Sequence, residues 1–143
     1  MSKKVIVIGA GAAGTMAAGV AAENGADVLL LERNEKIARK VLITGKGRCN
    51  VTNDCSNEEF LQNVPTNPRF LYSALNCFST QDTKDFFESE GVPLKTERGK
   101  RVFPVSDKAE DIVKALVSAC RSRGVDIRNE KVLSLVIEQE NVK

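Results

Sequence analysis

The chain of 143 residues contains no histidine. That removes the usual general base near neutral pH, so any proton chemistry must come from Lys, Tyr, Cys, a carboxylate, a bound cofactor or residues outside the chain. The cysteines Cys49, Cys55, Cys77 and Cys120 are irregularly spaced, with no C-x-x-C pair. A structural zinc site would need all these thiols from scattered places, so no metal site is read and reduced thiols are expected. No apolar run approaches the roughly 20 residues of a membrane span. Met1-Ser2-Lys3-Lys4 leads straight into a short apolar run with no cleavage-type ending, so no targeting segment is expected. A formal net charge of +2 is too small to argue for nucleic acid, and there is no long basic run. A cytoplasmic protein with neither a nucleic-acid nor a membrane partner is expected.

The chain is organised around Val5-Ile6-Val7-Ile8-Gly9-Ala10-Gly11-Ala12-Ala13-Gly14 and the later run Val28-Leu29-Leu30-Leu31-Glu32. This order reads as a buried strand, a glycine turn, a helix start, a second strand and an acid. Gly9 permits a tight turn, Gly11 lets the backbone approach a pyrophosphate, and Gly14 lets the helix pack on the strand. The first turn of the helix, with Ala12 and Ala13, presents unpaired N–H groups and the positive dipole end to phosphate. Glu32 stands near the offset of about 20 residues expected for an acid that grips a ribose hydroxyl. The bland alternative is a turn that only closes a βαβ unit. The flanks argue against it, since β-branched residues precede the turn and mostly alanine follows it.

The remaining elements follow from local signals. A helix is expected from about Gly11 to Asn24 with Gly25 after it, and strands over 5–8 and 28–32. Neither strand alternates polar and apolar residues, the pattern of parallel strands covered on both faces. Short helices are expected over 58–63 and from Pro68 to about Phe78. Another runs from a Ser79 or Thr80 cap through Glu90, with Asp82 in its first turn. Leu94–Glu97 and Lys100–Phe103 flank Arg98-Gly99 as a hairpin outside the parallel sheet. Ser106 can cap a helix over 107–123, whose Ile112, Ala115, Leu116, Ala119 and Cys120 form one apolar stripe, so Cys120 reads as core. Strands over 125–128 and 132–138 come last, the latter partly alternating. Three parallel strands would leave the first as an edge with incompletely covered faces, so a fragment or a fold completed by another chain is expected.

The segment 39–53, Arg39-Lys40-Val41-Leu42-Ile43-Thr44-Gly45-Lys46-Gly47-Arg48-Cys49-Asn50-Val51-Thr52-Asn53, has an odd composition for a connector. Alternating glycines such as Gly45 and Gly47 let backbone N–H groups converge on an anion or polar ring. Arg48 can offer a fork of donors to phosphate or carboxylate. A solvated loop is the alternative, and composition leaves both open.

With these residues in view, the chain resembles the N-terminal part of bacterial flavoproteins of the group that includes BaiN-like bile-acid reductases and aminoacetone-oxidase-like enzymes. The 5–14 motif with Glu32 is shared by many flavoproteins. The 39–53 segment is similar to the family's G-R-K-L-L-I-S-G-G-G-R-C-N-x-T-N signature, and Gly99-Lys100-Arg101-Val102-Phe103-Pro104-Val105-Ser106-Asp107-Lys108-Ala109 to its G-R-x-F-P-x-S-x-x-A block. Ala38 and Lys46 stand where glycines are common in the family.

The resemblance implies an α/β, Rossmann-like FAD/NAD(P)-binding domain with a parallel sheet, inserted helices and a β-hairpin. Residues 1–143 would form a partial domain, without the substrate domain or the C-terminal flavin-site segment. It implies a flavin-dependent oxidoreductase acting on a small-molecule substrate, with FAD as cofactor and NAD(P)H as candidate electron donor; this fragment alone is expected to be inactive and to bind FAD weakly or not at all. The implied cofactor contacts are Gly9, Gly11, Ala12, Ala13, Gly14, Glu32, Arg33, Arg39, Lys40, Gly45, Gly47, Arg48, Cys49, Asn50 and Thr52. Cys49 has two readings, a flavin-side thiol activated by Arg48 or a packing residue, and the second is favoured because no resolving cysteine is placed near it. No catalytic residue can be named. The rival functions are an NAD-binding dehydrogenase domain, which would lack the 39–53 signature, and a non-catalytic nucleotide-binding module.

Overall fold

The computed structural model describes residues 2–138 and 141–142. Strand β1 (Lys4–Ile8) leads through a turn into helix α1 (Ala12–Glu23), which returns the chain to strand β2 (Asp27–Leu31). Alanine fills much of α1, giving it high helix propensity and a thin profile. The helix stops at Asn24, whose side-chain amide donates to the Val20 carbonyl, and Gly25 takes the positive φ (83°) that follows a helix end. β1 and β2 pair in parallel over their whole length, Lys4 opposite Asp27 through Ile8 opposite Leu31.

The chain then forms helix α2 (Arg39–Ile43), strand β3 (Thr52–Asn53) and helix α3 (Asn57–Gln62). A 3-10 turn at Pro68–Leu71 precedes helix α4 (Tyr72–Cys77), and helix α5 (Thr80–Ser89) follows. Ser79 and Asp82 form a reciprocal capping box at the start of α5. Strands β4 (Leu94–Glu97) and β5 (Arg101–Pro104) make the expected hairpin. β3 joins it on the far side of β5, with Thr52 opposite Val102, so these strands form an antiparallel sheet apart from β1 and β2.

Helix α6 (Ala109–Ser122) buries its whole stripe of Ile112, Ala115, Leu116, Ala119 and Cys120. Gly124 at φ 82° turns the chain into strand β6 (Asp126–Arg128), which extends the parallel sheet on β2 in the order β1-β2-β6. The chain divides into two compact units, residues 1–39 with 116–143, and residues 40–115. In the first, Ala10, Ala18, Val28, Leu30, Cys120 and Val125 form a core on which Val5, Val7 and Ile127 also pack. Each fully buried branched residue such as Leu30 contributes about 1.5–3 kcal/mol.

Two expectations are corrected. β1 is not covered on both faces: Val5 and Val7 turn into the core, while Ile6 and Ile8 remain 52% and 55% exposed. As the strand order implied, β1 is an edge, with β2 its single strand partner among the described residues. The second correction concerns 132–138. Residues 132–136 form no strand, and only strand β7 (Ile137–Glu138) pairs, antiparallel, with strand β8 (Asn141–Val142). Leu133 and Leu135 are 85% and 60% exposed, so the alternation there has no layer to pack against.

Candidate nucleotide-binding site

The turn between β1 and α1 is built by glycines with separate tasks. Gly9 sits at φ 97° and donates its N–H to the Leu31 carbonyl at 2.7 Å, tying the turn to β2. A Cβ on Gly14 would lie 1.9 Å from the Gly9 carbonyl oxygen. No side chain fits there, so Gly14 is required by the protein's own packing. Gly11 differs. Its φ of −77° suits any residue, and a Cβ built there meets nothing within 4 Å.

Gly11 is the N-cap of α1, makes no side-chain cap bond, and no acid stands in the first turn. The N–H groups at the start of α1 therefore meet an open approach past Gly11, Ala12 and Ala13, all exposed. That is the arrangement a pyrophosphate needs: convergent N–H donors, a positive dipole end and no side chain in the way. The residues present fit a dinucleotide.

Glu32 lies at the C-terminal end of β2 and is 8% exposed. Its Oε2 accepts the Ala10 N–H at 2.8 Å, and its Oε1 accepts the Asn34 N–H at 2.8 Å and the Asn34 amide at 2.6 Å. Burial works to raise its pKa, but the hydrogen bonds from Asn34 and Ala10, with the charge of Arg33, outweigh it and the pKa is lowered. A carboxylate has about four lone-pair positions, and three are occupied here. Glu32 thus braces the glycine turn and keeps about one position for a ligand hydroxyl.

Asn129, just past β6, holds the same corner by donating its amide to the Glu32 carbonyl at 2.9 Å and the Asn34 carbonyl at 2.6 Å. Asn34 and Asn129 were not among the sequence candidates. The available signal was a small polar residue just beyond the carboxyl end of a parallel strand, where ligands of such sheets bind. Arg33 and Arg39 are exposed side chains of the same unit.

In the second unit, Lys40 is exposed in α2, and the loop that follows is closed on itself. Gly45 (φ 56°), Lys46 (φ 58°), Gly47 (φ 83°) and Cys49 (φ 59°) all take left-handed backbone. A Cβ on Gly45 would come within 3.0 Å of the Asn50 nitrogen and 3.2 Å of the Phe103 ring. The Cys49 N–H donates to the Thr44 carbonyl at 3.1 Å, and the Arg48 N–H to Gly45 at 3.3 Å.

The donors of Arg48 are engaged within the unit. Its guanidinium pairs with Glu97, donates from Nε to Asp107 at 2.8 Å, and stacks 4.2 Å from the Phe103 ring centre. Lys95 holds the other Asp107 oxygen at 2.7 Å. Cys49 is 5% exposed; burial pushes its thiol pKa up, against a smaller effect of the Thr44 hydrogen bond. A neutral, enclosed thiol fits the packing reading of Cys49 and not an activated nucleophile. Asn50 spends its amide N–H groups on the Thr52 and Val102 carbonyls, at 2.9 and 3.1 Å. Beside it a pocket of about 320 Å3 opens, lined in part by Asn50, Thr52 and Asn53. No group of side chains able to hold a metal ion occurs among the described residues.

Residues 3–143 match the family model described as the HI0933-like protein Rossmann domain. The chain belongs to that family. The chain is similar to the 3-dehydro-bile acid Δ(4,6)-reductase of Clostridium scindens, 36% identical over 126 residues, which are 87% of this chain and 30% of the relative. The ribosomal RNA dihydrouridine synthase of Escherichia coli is 36% identical over 135 residues, 94% of this chain and 33% of the relative. Its counterpart of the same name in Haemophilus influenzae is 33% identical over 137 residues, 95% and 33% of the two chains.

Among solved structures, THI4 of Thermovibrio ammonificans superposes with a TM-score of 0.58 at 14% identity, over 99% of this chain and 45% of that one. The Diels-Alderase PyrE3 gives 0.55 at 18% identity, over 99% and 28%. These likenesses establish the Rossmann-like α/β fold. The HI0933-like chain spans about a third of the length of the curated relatives it matches.

Proposed function

We propose that this chain is the FAD-binding portion of a flavin-dependent oxidoreductase. The observation that supports this most is the open approach at Gly11 in front of the uncapped α1, inside a family whose relatives include a reductase. In this reading the N–H groups of Gly11, Ala12, Ala13 and Gly14 hold the pyrophosphate, and Gly9 shapes the turn. Glu32 accepts a ribose hydroxyl with its remaining position. Arg33, Arg39 and Lys40 supply positive charge for the phosphates.

The assignment of Gly45, Gly47, Arg48, Cys49, Asn50 and Thr52 to the riboflavin half rests on the family resemblance of their loop. Since Arg48 and Cys49 are engaged inside their unit, their part is to set the loop's path, and Asn50 and Thr52 are the contact candidates. The bound flavin supplies the hydride chemistry; the protein supplies binding, orientation and electrostatics. NAD(P)H is the proposed electron donor.

The substrate stays a proposal at the level of class. One relative is named for a bile acid and two for dihydrouridine in ribosomal RNA. Both names describe adding hydrogen across a ring C=C bond, so a conjugated ring substrate is proposed, free or carried on a larger molecule. The remainder of such a protein would also cover the exposed Ile6 and Ile8 face of β1. The experiment is a titration of the protein that carries this domain with FAD, read by flavin absorbance and fluorescence quenching. Saturable binding, weakened by Gly11→Ala, is expected; colourless protein that takes up no FAD overturns the reading.

A further inference from the structure

The parallel sheet releases the chain at the end of β2. Leu31 pairs with Ile8 on one side and Arg128 on the other, and the Glu32 N–H still reaches the Arg128 carbonyl at 3.0 Å. From Glu32 onward the backbone is no longer strand. Yet this stretch must aim the Glu32 carboxylate, which already takes the Ala10 and Asn34 donors and keeps about one position for a ligand hydroxyl. One position on a buried acid serves a ligand only if its direction is fixed, to within about 0.5 Å and 10–20°.

Asn129 supplies that constraint. Its side-chain amide donates to the Glu32 carbonyl at 2.9 Å and to the Asn34 carbonyl at 2.6 Å, bracketing Arg33. Both N–H groups meet carbonyls, so the amide has one orientation: reversed, its oxygen would face two acceptors. Asn129 is an exposed polar residue, so its contribution is these hydrogen bonds rather than core packing. It stands just past Arg128, and so extends the hold of β6 by one side chain over the turn where strand pairing stops. Glu32 is thereby held at its N–H by Arg128, at its carbonyl by Asn129 and at its carboxylate by Ala10 and Asn34.

We propose that Asn129 is a positioning residue for ribose recognition, directing the Glu32 carboxylate at a ligand hydroxyl by fixing the backbone of residues 32–34 from β6. This role rests on the nucleotide reading of the glycine turn and adds a dependence to it: the ribose corner is complete only when β6 is seated on β2.

The test is a calorimetric titration of the flavin-free protein that carries this domain with ADP, 2′-deoxy-ADP and 3′-deoxy-ADP. The parent is expected to bind ADP about tenfold or more tightly than at least one deoxy analogue, the scale of a hydrogen bond to a charged group. Asn129→Ala should bring ADP down to the level of that analogue. So should Asn129→Asp, which keeps the size but removes both donors. The analogue never used the hydroxyl contact, so its own affinity should stay within about twofold of the parent's. In a Glu32→Gln background Asn129→Ala should change ADP binding no further, the non-additivity of residues that act through one another. A role in folding alone would lower all these ligands by one factor in both backgrounds, and that result overturns the proposal.

A second reading needs no ligand. The Ala10 N–H reports the carboxylate and lies outside Asn129's own hydrogen bonds. Its NMR signal should move in Asn129→Ala, while that of Asp27, bonded to Lys3 at the other end of β2, stays. An unmoved Ala10 signal, or variants that do not melt cooperatively, also overturns the proposal. A parent that binds ADP and its deoxy forms equally rejects it and leaves the nucleotide reading standing. A parent that binds no ADP rejects the nucleotide reading itself.

Discussion

Two glycine-rich segments in this chain do opposite things. At 9–14 the glycines keep a helix end open: Gly14 lets α1 pack against the turn, and Gly11 faces empty space. At 44–50 they fold the backbone into its own partners, with Gly45 pressed near Asn50 and Phe103 and four consecutive left-handed or near-consecutive residues from Gly45 to Cys49. The first segment leaves donors for a ligand. The second spends its donors internally and braces itself with Arg48 between Glu97 and Asp107. A glycine pattern thus reports freedom of the backbone, and only the surroundings decide whether that freedom serves a ligand or a fold.

The sharpest way to break the comparison is at Gly14. Gly14→Ala places a carbon 1.9 Å from the Gly9 oxygen, so α1 must move off the turn. A loss of about 3 kcal/mol or more is expected in denaturant unfolding, together with the loss of FAD binding. A neutral outcome would mean that the helix is not seated as described.

Glu32 is next. Glu32→Gln removes the charge that accepts the Ala10 and Asn34 donors, and about 1–3 kcal/mol of stability should go with it. The pH dependence has a definite sign. The folded pKa of Glu32 is lowered, so its stabilisation is present above the unfolded carboxyl value, about 4.3, and is lost as pH falls through the folded value. The acid-side fall in stability should therefore be shallower in Glu32→Gln than in the parent, as read by melts between neutral and strongly acidic pH. Parallel curves would contradict the bracing role.

A smaller effect of opposite sign is expected at Lys46 and Ala38. Both stand where the resembling family commonly has glycine, and both take positive φ, 58° and 51°. The left-handed conformation costs an L-residue about 1–2 kcal/mol, partly offset by the greater chain entropy of glycine when unfolded. Lys46→Gly and Ala38→Gly should each raise stability, by up to about 1 kcal/mol, measured as a higher denaturation midpoint at unchanged slope.

Much of this was legible in the sequence because the signals were local. The cap before α5, offered as Ser79 or Thr80 and found at Ser79, the stripe on α6 and the glycine turn are each written within a few residues, and the structure bears them out. The Rossmann-like sheet with β1 at its edge followed from the order of strands and helices. What was not legible depends on partners far along the chain. Arg48 looked like a fork for phosphate until Glu97 and Asp107, 49 and 59 residues away, took its donors. Asn129 reaches the Glu32 corner across 97 residues. The left-handed backbone at Ala38 and Lys46 was not legible because a sequence does not display φ. The apolar run at 132–136 failed as a strand because burial, not alternation, decides a strand.

The account's central claim is that Gly11 is a glycine for a ligand and Gly14 a glycine for the fold. Gly11→Ala tests it most directly, with stability and FAD affinity measured on the same protein. The claim requires stability to stay within about 1 kcal/mol of the parent, since only a helix-cap preference changes, while FAD affinity falls about tenfold or more from a methyl group in the pyrophosphate's path. Unchanged FAD affinity, or a stability loss as large as that of Gly14→Ala, would contradict it.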